Sequence, residues 1–367
     1  MKKYRLEVAV LLCGAIVMVL ELVAARVLSP YVGSSNIVWT SIIGIILVSM
    51  SLGYWLGGKM ADKSPKMSNV SVIILISAVL TSFIPILETT FVKTLSGLSQ
   101  NLTMVAIISA IVVFSIPSFL LAMISPYAIK LKDETHDEIG KLSGRLSSLS
   151  TIGSIAGTFL AGFFLIPTFG IRTIILGTTI VLLLLSVWLF EEKNKIYLLI
   201  IAIITVCVFG NYILGKTLYE ANNPEVIADV DSEYSRIIIK KMNRNNQTYT
   251  AMEVEKGLES YVDDETGEMG AKYLSYYDLF DYYNKDAKNT LLIGGAAYTY
   301  PTHFLDNFYE KTIDVVEIDE KMTALAKEHF DLKEDERLGI IHQDGRSYLN
   351  NTRGKIWCNF FRCIQRC

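Results

Sequence analysis

From Glu7 to Leu214 the sequence is dominated by long apolar stretches, and these restrict the first half of the chain to helices. A bilayer span needs roughly 20 mostly apolar residues. Within lipid, each span must satisfy its own backbone hydrogen bonds. Seven stretches have the length, at about 7–28, 37–58, 69–90, 103–128, 149–168, 172–190 and 195–214. Runs such as Ile174–Leu189 lack the amphipathic period of a soluble helix. With 51% hydrophobic residues and a mean hydropathy of +0.38, the chain is too apolar for an ordinary soluble protein. The expected architecture is a membrane domain of about seven helices over 1–214, in contact with the lipid bilayer, followed by a second domain over 215–367.

Basic residues orient such a bundle. Lys2, Lys3 and Arg5 precede the first stretch. Lys59, Lys63 and Lys66 follow the second, and Lys130, Lys132, Lys141 and Arg145 follow the fourth. The intervening loops carry little beyond Lys93 and Arg172. This predicts a multi-pass protein of the cell membrane with a cytoplasmic N-terminus. Seven spans would place the C-terminal half outside. One span fewer would place it in the cytoplasm, and the Gly-rich stretch Gly153–Gly170 is the weakest of the seven. The sequence leaves that side open. Gly53-xxx-Gly57 and Gly153-xxx-Gly157 suit close helix approach. Pro117 and Pro126 are expected to kink the fourth span. Glu21, an acid within the first, is the candidate functional residue of the membrane half.

The C-terminal half differs in charge. Up to Leu214 there are 15 Lys and Arg against 10 Asp and Glu; from Gly215 there are 19 against 27. An acidic half argues against nucleic acid, which needs a basic face. It suits a small-molecule amine.

Its organising stretch is Asn289–Asp319. The apolar run Thr290–Ile293 leads into a small-residue turn, Gly294-Gly295-Ala296-Ala297. A helical segment around 300–308 follows. A second apolar run then ends in Glu317 and Asp319, with Glu317 23 residues after Gly294. Strand, glycine turn, helix, strand and acid is the logic of a nucleotide-binding unit. The glycines admit a ligand close to the backbone, and the acid accepts ribose hydroxyls. The turn has neither a third glycine nor a lysine, so it is neither a dinucleotide fingerprint nor a P-loop. A third apolar run ends at Asp344-Gly345-Arg346. Acids after the second and third strands suit a ribose and an adenine amine.

The segments L-L-I-G-G-A-A-Y-T-Y-P, V-V-E-I-D and Q-D-G-R-S-Y-L together resemble the spermidine synthase (aminopropyltransferase) family, in particular its membrane-fused, multi-pass branch. Asp231-Ser-Glu-Tyr-Ser-Arg236 and Leu52-Gly-Tyr-Trp-Leu-Gly-Gly-Lys-Met-Ala-Asp62 match it more loosely. The resemblance implies an α/β S-adenosylmethionine-type (Rossmann-like) domain behind a small β-domain at about 228–262. It implies decarboxylated S-adenosylmethionine as co-substrate, an amine such as putrescine as acceptor, and no metal. Gly294, Gly295, Ala296, Glu317, Asp319, Asp344 and Gly345 would bind the co-substrate. Tyr277 and Asp278 fall near the family's Y-H-E and would hold the amine. Glu259 stands where the family has a glutamine. A homo-oligomer is compatible with this reading. Two other readings use the same residues: a polyamine transporter or sensor whose nucleoside domain is not catalytic, and an S-adenosylmethionine-dependent methyltransferase.

Elsewhere, Asn222–Asp231 reads as a polar linker. Tyr234–Met242 and Thr248–Glu255 read as two strands joined at Asn243–Asn246. His303, His329 and His342 lack metal-ligand spacing and read as structural or surface residues. Cys358, Cys363 and Cys367 have poor zinc spacing.

After Arg346 the family continues into a strand bearing its catalytic aspartate, the base that takes the amine proton. Here the residues from Lys355 to Cys367 contain no acid. Skipping one nucleotide after Lys355 would allow codons that restore a strand and its aspartate. The tail is therefore expected to be truncated or frameshifted. The parallel sheet is expected to stop after about three strands, and the polypeptide to be inactive.

Overall fold

The structure, a computed structural model, describes residues 4–132, 139–190, 195–351 and 359–361. The chain forms two compact units, Met1–Asn223 and Pro224–Cys367. The division falls beyond Leu214 because the helix Lys195–Asn222 runs through it unbroken.

The N-terminal unit is helical. Among the described residues, six helices are long and apolar enough to cross a membrane: Arg5–Val32, Asn36–Lys63, Met67–Leu98, Ile139–Thr168, Ile171–Leu189 and Ile200–Asn222. The remaining apolar stretch is a pair, Leu102–Val113 and Ser115–Lys132, bent by 49°. The fourth predicted span is thus broken, at Phe114. Pro117 lies in the first turn of the second helix, and Pro126 in the first turn of Ile124–Lys132. At those positions a missing N–H costs least. The glycines beyond Gly153 extend a single helix, Ile139–Thr168.

The glycines set the packing. A Cβ on Gly14 would meet the Ser150 carbonyl oxygen at 2.5 Å. One on Gly153 would enter the Leu11 carbonyl, and one on Gly157 the backbone of Ala15. The first helix and Ile139–Thr168 therefore meet backbone to backbone. Gly53 and Gly57 do the same against Phe119 and Met123. Gly157→Leu is expected to cost about 1–3 kcal/mol or more through overpacking, and to shift the detergent-solubilised protein from a single gel-filtration peak into aggregate. A wild-type elution profile would show that the helices have room to separate.

Two buried acids in this unit face basic side chains. Glu7 pairs with Lys132 and, at 3.6 Å, with Arg145. Glu88, 1% exposed, faces Arg172 at 3.9 Å, and that guanidinium lies 3.8 Å from the Tyr219 ring centroid. Glu21 is only half-buried, on the first helix. Glu88 is the more enclosed acid.

The C-terminal unit begins with a four-stranded antiparallel sheet: β1 (Val226–Asp231), β2 (Arg236–Arg244), β3 (Gln247–Val254) and β4 (Gly257–Asp263). The segment read as a linker is therefore largely strand. Its polar residues alternate along an edge, where one face and one side need no partner. Asn245 and Asn246 both have positive φ, 52° and 64°, and Arg244 pairs with Gln247. This is a two-residue hairpin turn whose twist matches the strands.

A parallel sheet follows, with β5 (Asn289–Ile293), β6 (Thr312–Glu317), β7 (Leu338–His342) and β8 (Asn359–Phe361) in the order β7-β6-β5-β8. β5 is buried from Thr290 to Ile293, as a strand covered on both faces must be. One face packs against Tyr298, Tyr300 and Phe304; Tyr348 and Leu349 pack on the other. The described sheet has four strands, not three. Residues 359–361 pair in parallel with 291–293 although they lack the family's sequence. Backbone pairing is indifferent to side chains, and the open edge of β5 offers unpaired N–H and C=O groups. The rest of the tail, including Lys355 and the three cysteines, lies outside the described residues.

Candidate functional site

The site grows from the turn after β5. Gly294 has φ 89°, Ala296 φ 48° and Tyr298 φ 55°. Alternate residues are thus left-handed, and two of them are not glycine. Such strain persists only where the surroundings enforce it. The enforcing group is Tyr298. Its ring is fully buried and its hydroxyl lies 2.8 Å from Thr323 Oγ1, which is 3.0 Å from His342 Nε2. Burial pushes the Tyr298 phenol well above its ordinary value. The ring covers Gly295 so closely that a Cβ there would lie 2.6 Å from it.

The turn presents its amides to the end of β6. Glu317 Oε2 accepts the Gly295 N–H at 2.8 Å and the Ala296 N–H at 3.1 Å; Oε1 accepts the Asp319 N–H at 3.0 Å. The acid expected to meet ribose is therefore already bonded to three backbone amides. Asp319 caps the helix Glu320–His329, Oδ1 accepting the Lys321 N–H at 3.0 Å. Its Oδ2 is buried without a hydrogen-bond partner. Beyond β7, Asp344 Oδ1 accepts the Ser347 N–H at 2.8 Å, which holds the Asp344 carboxyl below the usual range.

These groups surround a cleft of about 590 Å³ at the C-terminal ends of β5, β6 and β7. Its lining includes Gly294, Ala296, Glu317, Asp319, Asp344 and Gly345. Gly295 lies just behind, beneath Tyr298. Among the described residues, Arg346 is the lone basic side chain of the lining. A small ligand of low negative charge fits this field.

The antiparallel sheet supplies a wall that the sequence reading missed. Ile237, Ile239, Met252 and Val254 pack against Ala296, Ala297, Met322 and Leu325. The turn between β1 and β2 thereby brings Tyr234 and Ser235 to the cleft. Burial, with the carboxylates of Glu233, Asp319, Asp344 and Glu320, pushes the Tyr234 phenol upward. The only signal was the Asp231–Arg236 segment, which carried no assigned role.

Tyr277 and Asp278 are not at the cleft. Asp278 Oδ2 is 3.0 Å from His303 Nε2, and Oδ1 accepts the Tyr300 hydroxyl at 3.3 Å. Tyr277 packs edge-on to Tyr300, with ring centroids 5.1 Å apart. The predicted amine contacts thus serve the packing of the helix Thr299–Asn307, and His303 is Asp278's partner. Glu259, on β4, is also absent from the lining. Among the described residues no three His, Cys, Asp or Glu side chains converge as metal ligands do.

No family model and no curated protein matches the chain. A solved structure of a probable spermidine synthase from Corynebacterium glutamicum is similar at 21% identity and a TM-score of 0.30. The likeness covers 34% of this chain and 47% of that one, so the chain spans about half of that protein.

Proposed function

We propose that the N-terminal unit is a multi-pass membrane bundle and that the cleft of the C-terminal unit binds an adenosyl-type nucleoside. Its co-substrate would be decarboxylated S-adenosylmethionine, with a small amine such as putrescine as acceptor. One observation carries this reading: carboxylates follow adjacent parallel strands around a glycine turn, in a cleft whose described lining has a single basic side chain. The sequence motifs point the same way.

In the transfer, the amine nitrogen attacks the propyl carbon next to the sulfonium. The N–C bond forms, the C–S bond breaks, methylthioadenosine leaves neutral, and the amine proton passes to a base. Holding the two reactants in line supplies much of the rate. Asp344 is a poor base because its carboxyl is held low by the Ser347 amide. A chain relying on Asp344 as its base is therefore expected to bind methylthioadenosine while forming it only slowly from decarboxylated S-adenosylmethionine and putrescine. Calorimetry on the full chain in detergent, beside a chromatographic product assay, tests both halves. Absence of nucleoside binding would remove the reading. Rapid turnover would remove the claim about the base. A methylated product would reassign the chemistry to methyl transfer.

A further inference from the structure

Two buried polar atoms on the cleft lining have no hydrogen-bond partner: Asp319 Oδ2 and Ser235 Oγ. Their residues are 3% and 4% exposed. A buried carboxylate oxygen left unpaired is costly, and native structures rarely tolerate one without a reason.

Both residues are held firmly. Asp319 donates its N–H to Glu317, accepts the Lys321 N–H on Oδ1, and accepts the Met322 N–H on its carbonyl at 3.0 Å. Ser235 sits in a tight turn in which its N–H donates to Ser232 Oγ at 3.0 Å and its carbonyl accepts the Ser232 N–H at 2.8 Å. Lys321 Nζ donates to the Asp231 carbonyl at 2.6 Å and ties that turn to the helix Asp319 caps. Glu317 differs, because its two oxygens already accept three amides, which leaves about one acceptor site on Oε1.

From this we infer that Asp319 and Ser235, both on the cleft lining, recognise hydroxyls there in addition to the acceptor site that Glu317 keeps open. Asp319 Oδ2 accepts one ribose hydroxyl of the bound nucleoside, and the Ser235 hydroxyl bonds to the same sugar. This rests on the nucleoside reading above. Sequence logic places a ribose contact on the strand-terminal glutamate; the unpartnered Asp319 oxygen adds a second, two residues on.

The test uses the full chain in detergent and three probes: 5′-methylthioadenosine and its 2′-deoxy and 3′-deoxy counterparts. Asp319→Asn keeps the capping oxygen and replaces Oδ2 by a donor. It is expected to weaken methylthioadenosine binding roughly 10- to 100-fold, the range of a hydrogen bond to a charged group. One deoxy probe should bind wild type and Asp319→Asn alike, because it lacks the hydroxyl concerned. Ser235→Ala, which removes no hydrogen bond of the fold, should weaken binding roughly 3- to 10-fold. Asp319→Ser, a shorter cap, repeats the first test without the amide.

Equal affinity of wild type and Asp319→Asn for methylthioadenosine would overturn the assignment, as would an equal loss for all three probes. Unchanged affinity in Ser235→Ala would overturn the pairing even if both Asp319 variants misfold. If wild type binds none of the probes, the nucleoside reading falls and takes this inference with it. If wild type binds all three equally, the nucleoside reading stands and only the hydroxyl contact is lost.

Discussion

Glu317→Ala is expected to destabilise the C-terminal unit before it affects any ligand. The substitution strips three N–H groups, on Gly295, Ala296 and Asp319, of their acceptor at once. Each buried donor left unpaired costs about 1–3 kcal/mol. Water entering from the cleft offsets part of this, so a net loss of about 3–5 kcal/mol follows, a large fraction of ordinary domain stability. Thermal unfolding of the full chain should show the C-terminal unit melting roughly 10 °C lower. Glu317→Gln should fall between, because its amide NH₂ turns one acceptor into a donor facing another N–H. If Glu317→Ala melts with wild type and loses only nucleoside affinity, the carboxylate belongs to the ligand and not to the fold.

Asp229→Ala carries an effect of similar size by another route. Arg236 is 4% exposed, and its Nε and Nη2 donate to the two oxygens of Asp229 at 2.8 and 2.7 Å. Removing the acid leaves a buried guanidinium short of its counter-charge, at about 3–5 kcal/mol. Because Arg236 follows Ser235, nucleoside affinity should fall together with stability. The double replacement Asp229→Leu with Arg236→Met removes both charges and should recover most of the stability. Chemical denaturation of the three proteins decides the matter: a double variant no better than Asp229→Ala would mean that the pair holds the turn by geometry and not by charge balance.

Much of the cleft was legible in the sequence because its parts lie at strand ends, where hydrophobic period and acid coincide. Gly294, Glu317 and Asp344 close three successive apolar runs, and the structure sets those ends side by side. The bonding at those positions was not legible. Nothing in V-V-E-I-D separates an acid that binds sugar from one that binds the preceding turn. The partner amides come from residues 21 and 22 positions earlier. The left-handed Tyr298 was invisible for a similar reason, because its fit depends on Thr323 across the fold. The histidine partner of Asp278 was not legible either, because an acid among tyrosines has the same composition whatever it faces. In the membrane half, glycine spacing pointed to close contacts, but only coordinates pair Gly153 with Leu11 and Gly57 with Met123.

The strand order β7-β6-β5-β8 has a consequence that no side chain controls. From β5 the chain steps outward twice in one direction, then comes back to take its place on the other side of β5. The direction of winding therefore reverses at β5, and the carboxyl end of β5 is where an open parallel sheet of this order leaves a crevice. The hollow is a product of connectivity. Changing every acid around it would alter what the crevice admits while leaving it in place.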